Sequence, residues 1–479
     1  MQKSIFRNFL YKSVLNIFNI VVPLLLGAYA IKTLGNNMGK CQYGDSIYQL
    51  FYIFAAFGIY NYGLREISRL RNDKEQLKQL FSSLFIIGII ANIIVLIIFI
   101  YFSISNFKGT DQGLIFYIYN FTLFSNIFYV DWVNEALEKY DFITIKSIII
   151  RLIYIFLLLN FVKTKEDFIL YTVLNSLQFF LNNVISFIVI KKEIGFTING
   201  LAFKKHIKFL VIAMLMGSAS YLYTGLDKAL IGKYLGTEYI LSYSTPQGII
   251  NMVFSLIISI VFVTVPRLSY ALGNDDERMY EEILKKVIKS MSLFIFPAVI
   301  GVYVLHKEII MIYTSGTVPK AIPVMAIFSL YMLSLGFEAI VTQQILYVKR
   351  KEKIIICFIT LCGTINIFLK VILISIGKFS PVTASLTTCI VNFILVALEY
   401  TYSKKILKVN IKYFKFDNLK YFLIAIVFLP ISMVVRKFTQ EDITFSIITI
   451  FASCLYYLSM LFIIRDDIIL LLLKKIKFN

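Results

Sequence analysis

Charges set inside apolar runs are costly and by default mark a pathway. Arg151 interrupts IKSIIIRLIYIF, where its planar fork suits a phosphate held through two hydrogen bonds. Snorkelling to nearby headgroups is the competing use of that position. Lys370 lies near the centre of GTINIFLKVILI, too deep to reach an interface easily, and is expected to line a cleft or meet an acidic partner. Glu338, in SLGFEAIVTQQ, suits an ion pair with Lys370 or a coupling cation. Asp227 and Lys228 are sequence neighbours, so on a helix one points inward and the other to solvent. Asn16 and Asn19, with Asn366 close to Lys370, offer amides either to a ligand's hydroxyls or, more commonly, to neighbouring helices. This is the chemistry of holding an anion in an apolar setting.

Covalent and metal chemistry find no support. The five cysteines are Cys41, Cys357, Cys362, Cys389 and Cys454, and their spacing matches no zinc motif, so the last four are expected to be small core residues. The two histidines, His206 and His306, fall at opposite membrane faces in the topology below, which separates them as ligands or nucleophile partners. Phosphate loops of the Walker type are absent. No catalytic residue, metal or cofactor is expected.

The elements that must position these residues are membrane helices. The chain is 59% hydrophobic and 16% charged, whereas soluble domains carry about 25% charged residues. Apolar runs recur at the length needed to cross a bilayer, and irregular backbone cannot be satisfied in hydrocarbon. The runs predict fourteen spans, near 11–31, 43–63, 80–103, 113–133, 144–162, 168–190, 207–227, 239–265, 287–305, 321–347, 354–377, 381–402, 419–435 and 443–464. Arg151 makes the fifth insecure, and Pro430 the thirteenth. Lys and Arg concentrate in alternate connections, which puts both termini in the cytoplasm of a cell-membrane protein. The net charge of +20 is spread over those loops, facing anionic lipid, so nucleic acid is not an expected partner. MQKSIFRNFLYKSVLN lacks the pattern of a cleavable signal, and the first helix is expected to stay as an anchor.

An internal repeat is visible. KTLGNNMGKCQYGDS from Lys32 echoes GKYLGTEYILSYSTP from Gly232, with Gly35 and Gly236 offset by 201 and Tyr43 and Tyr243 by 200. The basic exits GLREISRL and VPRLSYAL place Arg65 and Arg267 at an offset of 202. The expectation is two parallel six-helix lobes, 1–195 and 196–405, with an added helix pair in 406–479. Lobes of this kind rock about a central cleft to give alternating access.

FYVDWVNEALEKYDF, from Phe128, holds the single Trp of the chain. Its position at the cytoplasmic end of the fourth span predicts an interfacial anchor at headgroup level, with Asp131, Trp132 and Glu138 on a polar hairpin. Asp131, Trp132, Glu138 and Lys139 resemble the hairpin of the polysaccharide transporter family, the Wzx-type flippases of the multidrug/oligosaccharidyl-lipid/polysaccharide exporter superfamily. Val133, Asn134 and Ala136 depart from that family's aromatics, Gln and Gly. YGLREISRL, with Tyr62, Gly63, Arg65 and Glu66, is similar to the family's turn after helix 2. Asp227, Lys228, Gly232 and Tyr243 resemble its helix 7 signature, and Pro266 with Arg267 its helix 8 exit.

The resemblance implies a fold like that of the multidrug exporters in this superfamily. It also implies a flippase for polyprenyl-pyrophosphate-linked oligosaccharide repeat units, serving surface polysaccharide such as O-antigen, capsule or exopolysaccharide. Membrane lipids are then partners, and a polysaccharide polymerase and chain-length proteins are candidate partners. One rival is a cation-coupled drug or metabolite antiporter of the same superfamily. Another is a membrane glycosyltransferase or polymerase, which would need a soluble portion or a large loop bearing carboxylates.

Overall fold

The computed structural model describes residues 5–70, 72–218, 221–409 and 415–468, all helical apart from turns and short connections. Side chains before Tyr11 lie outside the description, as do residues 469–479, so the basic ends used to orient the termini, including Lys3 and Lys474, fall there. By contacts the chain divides into two compact units, Met1–Leu241 and Ser242–Asn479. Helices of residues 203–234 therefore pack with the first unit, whereas the repeat assigned them to the second half.

The first unit contains α1 (Ile5–Leu34), α2 (Asn37–Ala56), α3 (Ile59–Leu70), α4 (Lys74–Phe107), α5 (Asp111–Ser125), α6 (Asp131–Ala136), α7 (Tyr140–Phe161), α8 (Phe168–Ile194), α9 (Phe203–Ser218) and α10 (Tyr221–Tyr234). Polar caps start the long helices where the apolar runs begin. Asp73 accepts the Gln76 N–H at 3.0 Å before α4, and Thr110 accepts the Gly113 N–H at 3.0 Å before α5. Pairing is α1 with α7, α2 with α4, α5 and α10, α5 with α8, and α3 with α6.

The second unit contains α11 (Ile240–Gly273, entered from the first), α12 (Glu277–Val304), α13 (His306–Thr314), α14 (Ile322–Ala339), α15 (Glu352–Ser375), α16 (Pro381–Lys405), α17 (Phe416–Ala425), α18 (Phe428–Phe438) and α19 (Asp442–Ile463). α14 runs directly into a π-helical segment, Ile340–Tyr347. Its centre is α14 packed against α12 and α16, with α15 on α16 and α17 on α12. The flanks are apolar and exposed, as at Ile97, Phe156, Val263 and Phe451, the surface expected to face lipid acyl chains.

Among the described residues, twelve helical stretches are long and apolar enough to cross a bilayer. The fold is that of an all-α, multipass membrane protein. Two of the fourteen expected spans fall on broken helices instead. The second is split between α2 and α3, where Phe57 and Gly58 both have positive φ, 46° and 70°. A Cβ on Gly58 would lie 2.5 Å from the Leu210 carbonyl oxygen and the Met214 amide nitrogen, so α9 seats its backbone in that break. The seventh is divided between α9 and α10, with residues 219–220 outside the description. The fifth, α7, is unbroken through Arg151, and the thirteenth bends between α17 and α18, ahead of Pro430.

Candidate functional site

The single Trp is placed by a short detour in the backbone. α5 stops at Ser125, one 3-10 turn (Asn126–Phe128) and two non-helical residues follow, and α6 carries Trp132 inward. Trp132 is 1% exposed, inside a cluster with Tyr62, Phe81, Leu84, Val133 and Leu210. Its six-membered ring occupies the slot left by Gly63, where an added Cβ would stand 2.5 Å from the ring, and its Nε1 donates to the Tyr129 carbonyl at 3.3 Å. The expectation of an interfacial anchor is therefore corrected: without a side chain at Gly63, the indole packs into the unit rather than out to headgroups.

Around the ring lies a small pocket whose wall includes Tyr60, Asn92, Asn126, Tyr129 and Trp132. The Asn126 amide donates to Asn92 Oδ1 at 2.9 Å, and the Asn92 amide to the Ala55 and Gly88 carbonyls at 3.1 and 2.8 Å.

Asp131, next in sequence to the Trp, is held by a lysine in the second turn of α7. Lys146 is 6% exposed and donates to both carboxylate oxygens at 2.9 and 2.8 Å, to the Ser186 hydroxyl at 2.6 Å and to the Asn182 carbonyl at 3.2 Å. Ser186 also donates to Asp131. The signal in the sequence was two opposite charges at the facing ends of apolar runs. Glu135 accepts from Tyr60 at 3.0 Å, Lys139 pairs with Glu193, and Glu138 is exposed in the left-handed region at φ 58°. The hairpin is thus an α6 tied to its neighbours through Asp131, Glu135 and Lys139.

The other expected residues of this unit are scattered. Arg151, part-buried near the middle of α7, donates to Asn19 Oδ1 at 2.7 Å. Asn16 is exposed. Arg65 is exposed, bonded to Glu66 at 3.0 Å and lying over the Tyr62 ring. Asp227 is fully buried, and Lys228 is half-buried with its amine toward Asp45 at 4.0 Å. His206 meets the Tyr62 hydroxyl at 2.7 Å through Nδ1.

In the second unit, Arg267 is exposed. Lys370, 1% exposed, donates to the Thr388 hydroxyl oxygen at 3.0 Å, and the Asn366 amide reaches the same oxygen at 3.3 Å. The expected pairing of Lys370 with Glu338 does not form. Glu338 is half-buried on α14, and Asn392 of α16 donates its amide one turn earlier, to Ser334, at 2.9 Å. Glu399 escaped the sequence reading because ALEYTYSKK looks like a polar helix end, yet its side chain is fully buried and accepts from Thr342 at 2.7 Å. Cys41, Cys362 and Cys389 are buried, but Cys357 and Cys454 are exposed on lateral helix faces, contrary to a core role.

A family model described as "Polysaccharide biosynthesis protein" matches residues 45–317, more than half of the chain. A protein of Escherichia coli (strain K12) described as "Putative O-antigen transporter" is 26% identical over 165 residues. That match takes in 34% of this chain and 40% of the relative, so it spans well under half of the relative's length. In fold, the chain is similar to a solved structure described as "Lipid II flippase MurJ, inward closed conformation", with a TM-score of 0.75 at 17% identity, covering 96% of this chain and 100% of that one.

Proposed function

The chain belongs to the polysaccharide biosynthesis protein family, as the resemblance of its motifs implied, and from that premise we propose that it is a flippase for lipid-linked oligosaccharide. In this reading it carries polyprenyl-pyrophosphate-linked repeat units from the cytoplasmic to the outer leaflet of the cytoplasmic membrane, with both termini in the cytoplasm. The names of the Escherichia coli relative and of the solved flippase support a carrier of such molecules rather than an enzyme.

The observation that carries the proposal is Arg151. A guanidinium half-buried midway along a membrane helix is costly unless it is paired, and here its hydrogen bond goes to the neutral amide of Asn19. No carboxylate pairs with it among the described residues. A pyrophosphate has the complementary charge and the geometry for two parallel bonds. Lys370, with Asn366, Asn16, Asp227 and Lys228, completes the proposed substrate set, and the lipid tail stays in the bilayer. Polymerase and chain-length proteins are the proposed partners downstream.

The test is flipping of a fluorescent polyprenyl-pyrophosphate oligosaccharide in liposomes containing the full chain. Arg151→Ala should slow flipping roughly tenfold to a hundredfold, the size expected for losing a charge-assisted contact, with Arg151→Lys recovering only part. Wild-type rates in the Ala variant at equal protein would remove Arg151 from the pathway. Absence of flipping together with proton-driven exchange of a cationic drug would assign the antiporter role instead.

A further inference from the structure

The connection from α8 to α9 presents apolar side chains and lysines together, apart from the residues assigned to substrate. Its backbone is fixed from behind. The Thr197 N–H donates to Ser82 Oγ at 3.0 Å and the Ala202 N–H to Ser83 Oγ at 3.3 Å, both hydroxyls on α4. Just ahead of them the Phe196 ring lies on Phe81, Phe85 and Phe187, at centroid distances of 5.3, 5.1 and 6.1 Å. Gly200, at φ 74°, sets its backbone against the Gln79 amide, where an added Cβ would stand 2.7 Å away.

A loop tied at these points cannot turn its tip inward. Ile198, at that tip, is 85% exposed. Phe203 and Ile207, one turn apart at the start of α9, are exposed as well. Single apolar residues on a surface need no explanation, but three in ten successive residues of a fixed connection amount to a face.

Five lysines surround that face. Lys191 and Lys192 lie in the last turn of α8, and Lys204, Lys205 and Lys208 in the first two turns of α9. All five are exposed, and none is in an ion pair among the described residues. The adjacent carboxylate, Glu193, is taken by Lys139. At about 100° per residue, His206 and Leu210 share one stripe of α9, and Lys204 and Lys208 share the opposite one. The first stripe is buried: His206 meets the Tyr62 hydroxyl, and the Leu210 carbonyl meets Gly58. Lys204 and Lys208 therefore project away from α3.

The apolar stretch that includes α8 ends at Ile194. A bilayer crossed by that stretch has its surface at this connection, which in the proposed orientation is the surface of the cytoplasmic leaflet. Apolar tips set among amines suit that depth, where the tips enter the acyl boundary and the amines reach phosphates.

We propose that residues 191–208 are a binding surface for anionic lipid. Ile198, Phe203 and Ile207 enter the leaflet, and the five lysines hold the phosphates of anionic headgroups. Lipid bound there backs α9 on the side opposite Gly58 and Tyr62, so occupancy braces the break between α2 and α3. The surface stands whatever molecule the chain carries.

A fluorophore on Ile198→Cys in the full chain tests this, in a Cys357→Ala, Cys454→Ala background whose remaining thiols are buried. The protein is placed in phosphatidylcholine vesicles holding a small fraction of phosphatidylglycerol or phosphatidylcholine spin-labelled at a shallow acyl position. The fluorophore should be shielded from aqueous iodide and quenched by both lipids. At equal fraction the glycerol lipid should be about fivefold or more the better quencher, the contribution of a single lysine beside an anionic surface. Salt should weaken that preference, and Lys204→Gln, Lys205→Gln and Lys208→Gln together should reduce it by about the same factor while quenching by the choline lipid persists. Iodide quenching without lipid quenching would leave the patch in water and overturn the proposal. Shielding from both would mean that a protein covers it, which overturns it equally. Equal quenching by the two lipids with the lysines intact, or an undiminished preference in the triple variant, would overturn the headgroup site. Should the triple variant fail to elute as a monodisperse species, the two lipids and the salt series decide on the protein with its lysines intact.

Discussion

At the scale of single residues, the first unit turns on two contacts that the sequence only half disclosed. Gly63 and Trp132 are complementary in volume, so Gly63→Ala should cost about 1–3 kcal/mol through overpacking. In a Trp132→Phe background, which lacks the outer ring atoms that meet the new methyl, the same change should cost less. Thermal unfolding of the four proteins in detergent measures the coupling; equal costs in both backgrounds would deny the slot. Lys146 and Asp131 form a buried pair, and removing one partner strands the other. Lys146→Met should therefore destabilise by about 3 kcal/mol, and the double change with Asp131→Asn should regain most of that. The Trp was conspicuous in the sequence but its direction was not, because a residue at a helix end is equally suited to headgroups and to an inward detour. The glycine that decides between them is 69 positions away. Glu399 was hidden by its company of Tyr, Ser and Lys, whereas Arg151 and Lys370 stood out because their neighbours are wholly apolar.

At the scale of elements, breaks matter as much as helices. Gly58 combines a positive φ with backbone contact to α9, so Gly58→Ala should destabilise by more than about 3 kcal/mol, above the 1–2 kcal/mol of the left-handed conformation alone. A variant as stable as wild type would mean that α9 does not rest there. In the second unit Asp466, just past α19, ties three helices: it lies 3.8 Å from Lys289 of α12 and accepts from Lys420 and Tyr421 of α17 at 2.5 and 2.7 Å. Burial alone would raise its carboxyl, but donation from Lys420, Tyr421 and the Ile468 N–H, with the charge of Lys289, holds it below the ordinary range, and Lys289 does the same for Asp467. A carboxyl with a depressed folded value stabilises above its unfolded value, near 3.9, and loses that contribution as pH falls through the folded one. The tie should thus persist through neutral and mildly acid pH and fail only below about pH 4. Asp466→Asn should remove that acid limb from the unfolding profile, and an unchanged limb would assign it to other carboxyls. The long apolar helices were readable from hydropathy alone. The breaks were not, since they depend on which distant backbone approaches.

At the scale of the whole molecule, hydropathy and helix length select twelve stretches, whereas alternating basic loops call for fourteen crossings. The difference lies in the two broken segments, and labelling decides the second of them. Cysteines at Asn106 and Asn274 are separated by four of the twelve apolar stretches. They report opposite faces if α9 and α10 together cross, and the same face if they do not. The expected result is label from outside at 106 and only from the cytoplasm at 274. The half-to-half repeat rests on the same crossing. Gly35 and Gly236 both have positive φ, 54° and 107°, and the proposed lobe boundaries at 195 and 405 rest on that repeat. A different use follows from the enclosed indole. Because Trp132 is the single tryptophan of the chain, the unaltered protein carries one indole fluorophore, separable from its 31 tyrosines by long-wavelength excitation and buried in the wall of a pocket. Its emission should be blue-shifted and shielded from aqueous iodide. Any movement of α3 against α6 should register as a change in colour or lifetime without a label.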